Sequence, residues 1–159
     1  MQQNVFEVLY YLVDHAKRLG SEHKERQTLL TELQDQGFHL GDIYVAFRWL
    51  SALESFVEHL SKNNTLSTQS MRVFTPLERL RLDSECYGYL LFLEQAKVLD
   101  AQTREIIIER ALATETDDLT LERFKRIILI VLMQQNSIPN PIWEKEVLIM
   151  TDDIKKRFH

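Results

Sequence analysis

Cysteine occurs once in the 159 residues, at Cys86. No disulfide can form within the chain, which suits a reducing cytoplasm. Glycine and proline are scarce, at four and three. A chain of many strands needs many turns, so this scarcity favours helices. A glycine-rich loop is missing, and with it any support for Walker-type or dinucleotide phosphate binding. The opening MQQNVFEVLYYLVDHAKRL has no basic leader and carries Glu7 and Asp14 inside its apolar run, so no signal peptide is expected. The longest apolar run, Ile127–Met133, is far short of the about 20 residues a membrane span needs. Cations are in deficit: 19 Lys and Arg face 24 Asp and Glu, for a net charge of −5. A dedicated DNA binder neutralises phosphates with Lys and Arg and starts from the opposite sign.

Metal and nucleophile patterns are also missing. The histidines are His15, His23, His39, His59 and His159, none four residues from another, and Cys86 has no partner cysteine. No Glu is followed three residues on by His, as a di-iron bundle requires. The zinc spacings are absent, so neither metal nor cofactor is expected and the histidines read as solvent-facing. Cys86 sits mid-helix in the apolar row Leu82, Cys86, Tyr89, Leu90, where burial would make the thiol inert. Glu105 and Glu109 share a helix face and could do acid–base work. Arg104 and Arg110 flank them, and the pattern reads as a solvated ion-pair face.

What is present is helical periodicity. Val5, Leu9, Leu12, Val13 and Ala16, with Phe6 beside them, predict a helix over 3–19. Leu29, Leu30 and Leu33 predict a short second helix over 27–36, closed by Gly37 in a left-handed turn that folds Phe38 back onto the core. A third helix over 40–62 follows, with a stripe of Ile43, Ala46, Phe47, Leu50, Leu53, Val57 and Leu60. Helix, glycine turn, helix is the helix-turn-helix pattern in outline.

After the polar loop NNTLSTQS, Met71–Phe74 reads as a short extended segment, a candidate wing. Thr75-Pro76-Leu77-Glu78 forms a capping box with proline at its preferred first position. Asp83 or Ser84 caps the next helix, which runs to about Lys97, and Asp100 opens another bearing Ile106, Ile107 and Ile108. The acidic break TETDDLT separates this from a helix around Ile127–Met133, apolar on nearly every face and so expected at the centre of the core. SIPNP stops it. A last helix over 142–150 leads into a charged tail with Lys155, Lys156 and Arg157. The whole predicts an all-α protein with at most one short β-hairpin. A winged-helix-like front, 1–75, packs against a helical back half, 76–159, as two modules or as one continuous domain.

Two readings of function follow. Tyr44 and Trp49 fall off the third helix's stripe: either a helix from the back half covers them or, exposed and with Arg48, they mark a candidate surface for a protein partner, since exposed aromatics concentrate binding energy. In the alternative, a nucleic-acid-binding regulator, Arg48 acts with Arg72, Arg79 and Arg81 near the wing. Residues 39–62 hold Arg48 and Lys62 against Asp42, Glu54 and Glu58, a net −1. Residues 63–83 hold three arginines against Glu78 and Asp83, a net +1. That is a thin basis for phosphate contact, so a non-enzymatic interaction or adaptor module is the primary expectation, with a link to DNA or RNA processes left open.

Several stretches together resemble the Smg family of bacterial proteins. They are Phe6-Glu7-Val8-Leu9-Tyr10-Tyr11-Leu12, Gly37-Phe38 with Asp42-Ile43-Tyr44 and Trp49-Leu50, Met71-Arg72-Val73-Phe74-Thr75-Pro76 with Arg81-Leu82-Asp83, and Gly88 to Glu94-Gln95. Thr103-Arg104-Glu105, Ile108-Glu109-Arg110 and the apolar helix at 124–133 complete the set, in order, over roughly 1–135. The chain departs at Gly41 and Ser51, where the family tends to acidic residues, and matches poorly after Asn136. The resemblance implies a small, cytoplasmic, mostly helical bacterial protein. It transfers no activity and no site residue. Members are often encoded near a DNA-processing protein, an association without a mechanism.

Overall fold

The computed structural model describes residues 3–18, 26–63, 76, 82–114, 119–135 and 140–157. Seven helices and no strand lie among the described residues: α1 Gln3–Arg18, α2 Arg26–Asp35, α3 Leu40–Asn63, α4 Ser84–Gln95, α5 Ala101–Ala113, α6 Leu121–Gln134 and α7 Pro141–Arg157. The all-α expectation holds. The expected wing at Met71–Phe74 and the capping box lie outside the described residues, apart from Pro76, which is helical.

Local chemistry sets the helix ends. Asp83, Asp100 and Thr120 are N-caps in extended conformation, each side chain accepting from the backbone N–H three residues on. Gly37 closes α2 at φ +93°, with its N–H donating to the Gln34 carbonyl and the Phe38 N–H donating to that of Leu33. That pair of hydrogen bonds is a Schellman motif, and it tucks Phe38 into the core. α4 ends the same way without a glycine. Lys97 occupies the left-handed region at φ 61°, its N–H bonded to Glu94 and that of Val98 to Leu93.

α6 lies at the centre of the packing. Phe124 and every residue from Ile127 to Leu132 are buried, and α1, α4 and α5 all pack against it. An apolar helix on every face needs partners on every side, and α6 has them. α1 is held between α3 and α6, which explains why its buried set is wider than one stripe. Val8 and Tyr10 are buried along with Val5, Phe6, Leu9, Leu12 and Val13, whereas Ala16 is exposed. α5 packs on α3, α4 and α6. Thus α1–α6 and α3–α5 contacts connect the segments before and after residue 75, and their buried residues form one hydrophobic cluster.

α7 is longer than its sequence reading. It continues through the charged tail to Arg157 because the spacing of Trp143, Val147, Met150, Thr151 and Ile154 keeps one face on the protein. Lys125 of α6 donates to Glu146 at 3.3 Å, and Asn140 donates to the Ala96 carbonyl, tying α7 to α6 and to the end of α4.

Candidate interaction surface

The two aromatics off the apolar stripe of α3 part company in the structure. Tyr44 is 46% exposed and Trp49 only 8%. Trp49 is therefore removed from the candidate contact face. The buried row of α3 is Ile43, Ala46, Trp49 and Leu53, at steps of three, three and four, with Phe47 and Leu50 half-buried on its flank. α5 covers the indole. The Trp49 Nε1 donates to Thr114 Oγ1 at 3.4 Å, Thr114 Oγ1 donates to the Arg110 carbonyl at 2.7 Å, and the Arg110 guanidinium sits 5.4 Å from the indole centroid. Arg110 also donates to the Trp49 carbonyl at 3.3 Å and pairs in bidentate fashion with Glu109.

What remains on the outer side is a compact group. Leu40, Tyr44, Val45 and Arg48 are all exposed, at steps of four, one and three along the first two turns of α3. Leu40 and Val45 escaped the sequence reading. The signal was their spacing around Tyr44: Leu40 and Arg48 are its i−4 and i+4 neighbours and Val45 adjoins it. Gly41 lies beside them with open space where a side chain would stand. The Schellman turn at Gly37 aims this segment, since it fixes where α3 begins relative to α2. At the other end of α2 from that turn, Arg26 lies 4.7 Å over the Phe47 ring and holds α2 against α3. Arg72, Arg79 and Arg81, the other members of the nucleic-acid reading, lie outside the described residues.

The groups weighed for chemistry are otherwise engaged. Cys86 is fully buried, its Sγ donating to the Leu119 carbonyl at 3.6 Å, and burial pushes the thiol up to about 12. Such a thiol supplies almost no thiolate nucleophile. Arg104 and Arg110 correct the expectation of a solvated ion-pair face: both side chains are buried. Arg104 holds both Glu94 oxygens at 2.9 Å and Glu105 at 3.3 Å, bridging α5 to α4. The missed signal was again spacing, since Arg104 falls in the row Arg104, Ile107, Ile108, Ala111. His39 and His59 are exposed as expected, but His15 is half-buried and stacks on Tyr11 with centroids 5.5 Å apart. Burial, then its bond to Glu32 at 2.7 Å, pushes Tyr11 up to about 12. His23 and His159 lie outside the described residues. Among the described residues, no three His, Cys, Asp or Glu converge to hold a metal ion, and no helix is long and apolar enough to cross a membrane.

Residues 5–159 match the family described as "Protein of unknown function (DUF494)". The "Protein Smg homolog" of Nitrosococcus oceani is 41% identical over 136 residues, covering 85% of this chain and 86% of its own. The chain belongs to the Smg family. "Protein Smg" of Pectobacterium atrosepticum and that of Escherichia coli O1:K1 are each 40% identical over 148 residues, covering 91% of this chain and 94% of theirs. No solved structure matches the chain. The Smg-family match runs past the 1–135 span of the motif resemblance, so α7 belongs to the family's extent. The family description names no activity, and the α3 surface stands on its own geometry.

Proposed function

We propose that this Smg-family protein is a non-enzymatic interaction module whose contact face is the outer side of the first two turns of α3. The observation that carries this reading is the exposed group Leu40, Tyr44, Val45 and Arg48. Tyr44 and Arg48 are of the residue types that dominate binding hot spots, and Leu40 and Val45 supply apolar area around them. The partner is a protein that lays an apolar helix or loop against Tyr44 and Val45 and brings a carboxylate to Arg48. The chemistry-bearing groups support the non-enzymatic part. The thiol is buried and protonated, and Glu94, Glu105 and Glu109 are engaged by buried arginines.

The test compares what wild type and a Tyr44→Glu/Val45→Glu variant retain from native cell extract, followed by titration with the purified retained protein. Both positions are exposed, so the variant should melt like wild type. Loss of a retained protein, confirmed as weaker direct binding, supports the face. Equal retention by both places the contact elsewhere.

The second reading, a nucleic-acid-binding regulator, draws on the α2–Gly37–α3 order and the exposed Arg48 in the third helix. Asp42, Glu54 and Glu58 on the same helix weigh against it. Titration against duplex and single-stranded probes at two salt concentrations separates the two readings, because phosphate contact weakens steeply with salt.

A further inference from the structure

We propose that α7 carries a self-association face, and that two copies of the chain pair through it in antiparallel fashion about a twofold axis between Leu148 and Ile149. This face is on a different helix from the α3 surface and does not depend on the reading given to that surface.

The argument starts from α7's two sides. Trp143, Thr151 and Ile154 are buried, with Val147 and Met150 half-buried beside them. On the outer side Ile142, Lys145, Ile149, Asp152 and Lys156 follow at steps of three, four, three and four, and all are exposed. That is the spacing of a helix-pairing seam. Its two apolar members are 47% and 76% exposed, and Leu148, flanking the seam, is 63% exposed. Among the described residues, Leu148 and Ile149 are the most exposed of the large apolar residues, and they sit side by side at mid-helix. An inward face already satisfied by Trp143 and Ile154 gives the helix no reason to carry them for its own docking.

Charge decides the occupant and its orientation. In an antiparallel pair centred between 148 and 149, residue n lies level with residue 297 − n of the second copy. Lys145 of each copy then faces Asp152 of the other, and Leu148 of each faces Ile149. A parallel pair would set Lys145 against Lys145 and Asp152 against Asp152, which like-charge repulsion disfavours. A twofold contact must be self-complementary, and one cation and one anion placed evenly about the apolar centre meet that condition. Within one chain Asp152 pairs with Lys156 at 3.1 Å, with both side chains about two-thirds exposed or more. So exposed an ion pair is worth little and yields readily. Three apolar side chains give a patch smaller than the about 800 Å² per partner of a standard interface. The association is therefore weak and concentration-dependent.

Sedimentation equilibrium from about 10 µM to about 1 mM covers the range of such a contact. Wild type should rise from 18.8 kDa toward twice that mass. Ile149→Glu should weaken association by at least about tenfold, with an unchanged circular dichroism spectrum and melting point because the residue is exposed. Lys145→Glu and Asp152→Lys should each weaken it by about three- to tenfold, and the double reversal should restore it to within about twofold of wild type. Wild type remaining a monomer up to the highest concentration would overturn the proposal. So would a dimer that survives Ile149→Glu. Loss by Ile149→Glu with no rescue in the double reversal would overturn the antiparallel register.

Discussion

Replacing Arg110 by Met tests how α3 is held against α5. The guanidinium is a buried cation with three kinds of partner: the Trp49 carbonyl, the Trp49 ring and the Glu109 carboxylate. A hydrogen bond from a charged donor contributes about 1.5–3 kcal/mol net. A largely desolvated cation–π contact contributes up to about 2 kcal/mol. The Glu109 side chain is 30% exposed, so water can solvate it once its partner is gone, and this pair is discounted to about 1 kcal/mol or less. The thioether refills much of the space and recovers roughly 1 kcal/mol of apolar burial. The expected net cost is about 2–4 kcal/mol, a large part of the about 5–15 kcal/mol by which domains are stable. Urea unfolding followed by circular dichroism gives the number. Tryptophan emission in a Trp143→Phe background reports the surroundings of Trp49 alone. Arg110→Lys should fall between, keeping the charge but losing the planar fork and the stack. A double-mutant cycle of Arg110→Met with Trp49→Phe should show a coupling of about 0.5–2 kcal/mol. A cost for Arg110→Met below about 0.5 kcal/mol would refute the reasoning, because a buried cation so placed would then contribute nothing.

Three further outcomes are expected. Gly37→Ala should cost about 1–2 kcal/mol through backbone strain alone, because φ is +93° and nothing lies within 4 Å of the added carbon, whereas Lys97→Gly should stabilise by about 0.5–1 kcal/mol by relieving the same strain at φ 61°; thermal melts of both variants check the opposite signs. The buried Cys86 thiol titrates higher folded than unfolded, so its contribution is complete below pH 9 and is lost as pH rises from about 9 to about 12, a change of about 2–4 kcal/mol that Cys86→Ala should remove from the pH–stability curve. Asp100→Ala, which deletes the acceptor for the Thr103 N–H at 2.8 Å, should cost about 1 kcal/mol by chemical denaturation.

Much of the fold was legible because its signals are local. The left-handed glycine after Gln36, the caps at Asp83 and Asp100, and the all-round apolar run at Ile127–Met133 are each written within a few residues. What was not legible depends on neighbours far along the chain. Trp49 can be assigned to the buried row through Ile43 and Ala46 or to the outside beside Tyr44, and only α5, sixty residues later, decides. Arg104 and Arg110 carry full charge, so their burial is readable only once Glu94, Glu105 and Glu109 are seen around them. The charged tail hid about two more turns of α7, because Thr151 and Ile154 continue a stripe that begins at Trp143. Of the candidate surface, Tyr44 and Arg48 were recognised, and Leu40 and Val45 were overlooked as ordinary helix residues.

The central position of α6 has a consequence for how the protein is made. α1 leaves the ribosome well before α6, one of the helices that cover it, whose Arg126 lies over the Phe6 ring at 5.6 Å. More than a hundred residues of synthesis separate the two partners. At bacterial rates of about 5–20 residues per second, the newborn α1 waits on the order of ten seconds with Phe6 and its neighbours unshielded on one side. α1 is thus made long before its enclosure is complete. The nascent chain is a natural client for whatever holds apolar helices at the exit tunnel, and a stop codon placed anywhere before residue 121 should yield a product that is degraded or aggregates.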